Sequence, residues 1–288
     1  MLTVFQVRQV IPIITELLNS HPLQASTPYA HKIWHFTDNI MAYTNIDDPS
    51  AYFQTTTYTG DGSTSLAITN DGNSDLKPDF AWFKRRDAAV NHSLFDSSRG
   101  ATKMLYSDLT NAEYTNAQSL KTFNTDGFTL GNYGTVNVGS GTFVAWQWKA
   151  NGGTVTTVAE SGSNPGFTRQ TNTTAGFSII AYTGTGSNGT IAHGLPSTPE
   201  FIIFKRRNNA NFWCVWHQAI GDDYKLALQS SDGLDADGAF MASTLPTSTN
   251  ITVGGASVNT NADNGTYICY AFSPVQGYSK FGKYVGNA

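Results

Sequence analysis

The chain has 288 residues, 17 basic and 21 acidic side chains, a net charge of −4 and only 13% charged residues. That length makes one large or two ordinary domains, and the acidic balance argues against a nucleic-acid binder, which carries a basic excess to displace counterions. Low charge, with Gly, Ser, Thr and Asn filling the gap, reads as an all-β chain with many turns.

In chain order, residues 1–44 read as an N-terminal arm. Within it "VIPIITELLNS" predicts a short helix, with Pro12 in its first turn and Ile14, Leu17 and Leu18 on one face. The opening stretch lacks a basic n-region and carries Arg8 inside its apolar run, so it is a poor signal peptide. Two readings stand for it: an anchoring arm, or an over-extended frame whose natural start is Met41. Nothing in the chain reaches the roughly 18 apolar residues of a membrane span.

From residue 45 onward the sequence repeats itself. "YTG" at Tyr58–Gly60 returns at Tyr182–Gly184, "PDFAWFKRR" returns as "PEFIIFKRR", "DGFTLG" as "TNITVG", and "GTFVAWQWKA" as "GTYICYAFSP". The four blocks keep their order at an offset of about 121–124 residues. This predicts two copies of one sandwich-sized unit, over 45–150 and 176–275. Residues 151–175 read as a linker holding one strand in "TVTTVAE". The last stretch, 276–288, repeats the entry motif as Tyr284-Val285-Gly286-Asn287. It is either the start of a truncated third repeat, the preferred reading, or a strand closing the edge of the second unit.

The strand patterns place chemistry on faces. In "GTFVAWQWKA", Val144, Trp146 and Trp148 share one face, as do Ile268, Tyr270 and Phe272 in the second copy. A face that is large and aromatic in both copies points to core rather than to an exposed sugar-stacking platform. "DFAWFKRR" is apolar on both faces and then charged on both, as in a strand leaving a core. Regular short strands between Gly/Asn/Asp turns predict two tandem β-sandwiches of jelly-roll or concanavalin-like type. Cys214 and Cys269 sit in apolar runs and read as buried thiols, with a disulfide left open.

These blocks, with "NHSLFDSSRGATKML", "FNTDGFTLG" and "GYSKFGKYVGN", resemble a repeat domain common in structural and tail proteins of bacteriophages, especially marine and cyanobacterial ones. The resemblance covers roughly 45–288. It implies a virion location on the phage tail or capsid surface, other virion proteins as partners, and a homo-oligomer, with trimers common among phage fibres. It carries no catalytic residue.

The chemical motifs are weak. "DGLDADGAF" has calcium-loop spacing at Asp235, Asp237 and Gly238, but Gly233 and Thr244 stand where ligands belong, so a turn is preferred. Asp96, Asp126, Asp222, Asp223, Asp235 and Asp237 sit mostly beside Gly or Ser, as turn formers do. His92, His193 and His217 lack zinc-ligand spacing. The expectation is a non-catalytic protein with no cofactor and no metal. The ligand-binding candidates are Lys84, Arg86, Lys205 and Arg207 of the two "FKRR" blocks, with Asp96 and Arg99, as grips for an anionic host surface glycan. Against that, recurrence of the tetrapeptide after the same strand favours a structural role.

Overall fold

A computed structural model of the chain describes residues 44–286. The arm expected over 1–44, with its predicted helix, lies outside these but for Thr44. The described chain is all-β, built from antiparallel sheets packed as sandwiches.

The first repeat contributes β1 (Phe53–Thr59), β2 (Leu66–Ile68), β3 (Phe80–Arg85), β4 (Ser93–Asp96), β5 (Lys103–Tyr106), β6 (Tyr114–Thr115), β7 (Leu120–Phe123), β8 (Phe128–Leu130) and β9 (Thr142–Trp148). The second contributes β10 (Thr156–Val158), β11 (Phe167–Asn172), β12 (Phe177–Thr183), β13 (Gly189–Ala192), β14 (Phe201–Arg206), β15 (Trp213–His217), β16 (Tyr224–Ala227), β17 (Asp235–Ala236), β18 (Asn250–Val253) and β19 (Thr266–Phe272). The large sheet of the first repeat runs β1-β9-β3-β4-β5-β6, and that of the second runs β10-β11-β12-β19-β14-β15-β16-β17. From β12 onward the second order repeats the first strand for strand. The small sheets, β2-β8-β7 and β13-β18, correspond in their β2-β8 and β13-β18 pairs.

The entry motif shows why the duplication kept its residues. Tyr58 stacks on its cross-strand partner Phe143 at 5.2 Å, and Tyr182 on Tyr267 at 5.1 Å. Each tyrosine hydroxyl then donates to a carbonyl in the loop before the last strand, Val136 at 2.7 Å and Thr260 at 2.5 Å. The glycine two residues on passes so close to that loop that a Cβ would lie 2.4 Å from Val138 O in one copy and 2.3 Å from Ala262 O in the other. Only glycine tolerates such an approach. Asn137 and Asn261 close the corner by accepting backbone N–H bonds from the residues after each glycine.

Each repeat packs its large sheet on its small one around its own core. In the first this centres on Phe83, Phe95, Phe128 and Ala145, and in the second on Phe204, Trp216, Phe240 and Tyr267. A third core lies between the two large sheets. Phe80, Leu94, Leu105 and Trp148 of the first repeat meet Phe177, Ile203, Trp213 and Tyr270 of the second. The four sheets therefore stack as small, large, large, small. Trp148 of β9 and Ile268, Tyr270 and Phe272 of β19 are packed into this shared layer, whereas Trp146 is half-buried and meets Trp82 edge-on at 6.4 Å.

Two segments differ from the sequence-based expectation. Residues 151–175 are not a bare linker, because β11 as well as β10 extends the second large sheet, pairing with β12 over Phe167–Tyr182 to Asn172–Phe177. The segment "FTRQTN" offers no period-2 apolar signal, because its two buried residues, Phe167 and Gln170, lie three apart and so on opposite faces of the strand. Residues 276–286 close no sheet edge; this stretch carries only a single bridge between Val275 and Ser279.

Candidate functional site: the joint and the aromatic cleft

The two "FKRR" blocks occupy equivalent ends of β3 and β14. Phe83 and Phe204 are core residues in their own sandwiches. Lys84 Nζ donates to the carbonyl of Val90, and Lys205 Nζ to that of Asn211, so each lysine staples the hairpin loop that follows it. Arg85 pairs with Asp87 at 2.6 Å, and Arg206 bonds Asn208 at 3.1 Å, again the residue two further on. These three positions are architecture built twice.

The copies then diverge. Arg86 is exposed, whereas Arg207 grips Glu113 of the first repeat through two bonds of 2.9 and 3.0 Å. Lys205 is fully buried, unlike Lys84, and this corrects the reading that both faces of the strand leave the core together. It stays inside because its ammonium also donates to Thr110 O of the first repeat at 2.8 Å and lies over the Trp213 ring. Burial pushes its pKa down to about 8.

Asp96 and Arg99 form the centre of the joint. Asp96 accepts the backbone N–H of Arg99 and pairs with its guanidinium, both side chains being wholly buried. The pair thus ties a local turn, and it does more. Tyr270 donates to Asp96 Oδ2 at 2.7 Å from the second repeat. Arg99 also reaches Glu113 at 3.0 Å and the carbonyls of Lys103 and Leu94. Burial works against the Arg99 charge, but Asp96, Tyr270 and Glu113 around it more than offset that and hold its pKa above the ordinary value. Burial likewise raises the Glu113 carboxyl, yet the Arg207 and Arg99 guanidiniums win and hold it below its ordinary range. The result is a chain of charges, Asp96–Arg99–Glu113–Arg207, crossing from one repeat to the other.

Of the six candidate binding residues, then, Asp96, Arg99, Lys205 and Arg207 converge on the joint, Lys84 is committed to a loop, and Arg86 alone is exposed without an ion pair among the described residues. Glu113 was not singled out from sequence, and Tyr270 was read there only as a core residue. Glu113 carried a signal, as the only glutamate between residues 45 and 150. Tyr270 carried a weaker one, standing where the first repeat has Trp146.

At the side of the joint lies an aromatic cleft of about 290 Å³, walled by Phe53, Trp148, Phe177, Phe201, Phe272 and Phe281. Phe281 stacks on Phe201 at 5.8 Å with 13° between the rings. Such walls suit a flat or aliphatic group and offer little to a charged one. The remaining sequence candidates are used locally. Asp235 and Asp237 both bond Lys225, so the calcium-like loop is a lysine-closed turn. Cys214 and Cys269 are free thiols, both paired across from Phe204 on opposite sides of β14.

Fold and joint together define a duplicated β-sandwich protein fused through a common core. The chain belongs to the DUF7483 family, a domain of unknown function, which matches residues 48–288. No curated protein and no solved structure matches it. Among the described residues no helix is long and apolar enough to cross a membrane.

Proposed function

We propose that the chain is a non-catalytic, virion-associated module, a tail-fibre or decoration component that mediates attachment as an oligomer by contacting host surface glycans. The carrying observation is the fusion of the two repeats. A shared core and a buried charge network make one stiff body from two units, which suits a part that must present a fixed surface under load. The aromatic cleft supplies a stacking surface of the kind a sugar ring or its apolar substituent uses. Shallow contacts of this sort gain strength through multiple copies.

Mass spectrometry of purified virions tests the location, and absence of the chain from particles overturns it. Glycan-array binding with parallel measurement of released reducing ends tests the mode. Binding without release is expected, while release of reducing ends would make the protein a glycan-degrading tailspike. A second reading, a structural spacer or capsid-assembly protein that touches only other virion proteins, is favoured by the way Asp96, Arg99, Lys205 and Arg207 are engaged inside the molecule. It is the outcome if particles contain the chain and no glycan binds.

A further inference from the structure

The edges of the two large sheets are unequal. β6 and β17 have two residues each and β10 has three, and short edges resist pairing with other chains. β1 has seven residues, Phe53–Thr59, pairs in unbroken register with β9, and has no strand on its other side among the described residues. It holds no charge, no proline and no bulge, the usual protections of an exposed edge. Its equivalent in the second repeat, β12, is covered by the antiparallel strand β11. The duplication thus shows what an edge of this kind accepts.

A second element is also without a partner. Beyond Phe281, residues 282–286 are exposed and make no hydrogen bond to other described residues, and Tyr284 and Val285 are 93% and 90% exposed. Tyr284 and Val285 thus present two adjacent large side chains that nothing among the described residues covers. The charges match as well. Asp47, Asp48, Asp61, Asp71 and Asp75 flank the ends of β1 and its adjoining loop, and none forms a salt bridge among the described residues. The tail carries Lys280 and Lys283, both exposed and equally without an ion-pair partner there. That loop is fixed beside β1 by Gln54, which bonds Gly72 and Ser74.

We propose that the tail around Lys280–Gly286 of one copy of this chain adds as an edge strand to β1 of a second copy. The root of the tail lies beside the start of its own β1, with Tyr278 6.3 Å from Tyr52 and Phe281 in the cleft with Phe53. Two copies brought together there can exchange tails reciprocally, so the assembly closes as a twofold dimer. The five residues past Phe281 reach about 17 Å as a strand, enough to cover most of β1. Main-chain bonds give the affinity, and Lys–Asp contacts at the ends of β1 add to it.

The test is light scattering on the full chain across a tenfold range of concentration, with Val285→Pro and Lys280→Glu/Lys283→Glu alongside. These positions lie outside all three cores, so the fold survives the changes. A dimer is expected, with dissociation shifted at least tenfold by either variant. A monomer overturns the proposal, including the case in which amide exchange shows β1 protected by a segment of its own chain. So does a dimer or higher oligomer that both variants leave unchanged. Mixing Thr57→Cys and Val285→Cys copies should give a disulfide between the two different chains, and a failure to cross-link counts against tail exchange even if a dimer forms. None of these outcomes bears on whether the chain resides in a virion.

Discussion

The Tyr270 hydroxyl of the second repeat donates to Asp96 of the first at 2.7 Å, and both residues are fully buried. Asp96 is thereby shared between a local turn and a distant strand, and the buried Arg99 depends on it. Removing one member of a buried ion pair costs about 3–5 kcal/mol, because the other charge is left uncompensated. Arg99→Met should therefore lower urea-derived stability by that amount. Arg85→Met, which breaks a partly exposed pair, should cost no more than about 1 kcal/mol. Equal losses from the two variants would contradict the account.

Lys205 predicts a pH signature. Its folded pKa is about 8 against an ordinary 10.5. Between those values the unfolded chain binds more protons than the folded one, so the stability contributed at this site rises with pH across the window. Thermal melts of the native protein and Lys205→Met should converge or diverge accordingly, the native protein gaining relative to the variant from pH 8 to 10.5. A constant difference would show that Lys205 is not desolvated.

Glu113 acts with the same sign in a lower pH window. Its folded pKa is depressed below 4.5, so its contribution is complete above that value and is lost as pH falls through the folded pKa. Glu113→Gln should flatten the acid limb of the stability curve below about pH 4.5. An acid limb identical in the two proteins would remove Glu113 from the joint's energetics.

The shared core predicts one unfolding event. Phe80, Trp148, Trp213 and Tyr270 leave water only when both repeats are folded and packed, so heat and denaturant should give a single coincident transition by fluorescence and circular dichroism. Two separated transitions would mean that the repeats are energetically independent. Phe80→Ala, at the centre of that core, should cost about 3–5 kcal/mol and destabilise both halves together.

The two cysteines should remain reduced under any oxidant that spares the fold. Their strands flank β14 at opposite sides, so their Cα atoms are about 9–10 Å apart at ordinary strand spacing, beyond disulfide reach. Burial pushes the Cys214 thiol up to about 12 and also raises Cys269. A thiol reagent should count two groups after denaturation and none before.

The duplication, the strand pattern and the aromatic faces could be read from the sequence, because each depends on local alternation that occurs twice. The shared layer could not. Alternation says that Trp148 and Tyr270 face a core, but not whether that core belongs to one repeat or lies between two. The basic tetrapeptide shows the same limit. Position by position, Phe83/Phe204, Lys84/Lys205 and Arg85/Arg206 follow the repeat, while Arg86 and Arg207 part company because only Arg207 meets a glutamate from the other copy. β11 escaped because a strand buried mainly at Phe167 and Gln170 offers almost no apolar period. Glu113 was a lone acid in a loop until folding placed two guanidiniums beside it.

The common core between the large sheets changes what counts as one building block. A gene that gained a single extra copy would produce a sheet with its aromatic face bare, and a gene that lost one would strand the same face on its survivor. Selection on such a chain acts on couples. Lineages that lengthen or shorten it are expected to do so two repeats at a time, and substitutions in one aromatic face should be answered by substitutions in the other.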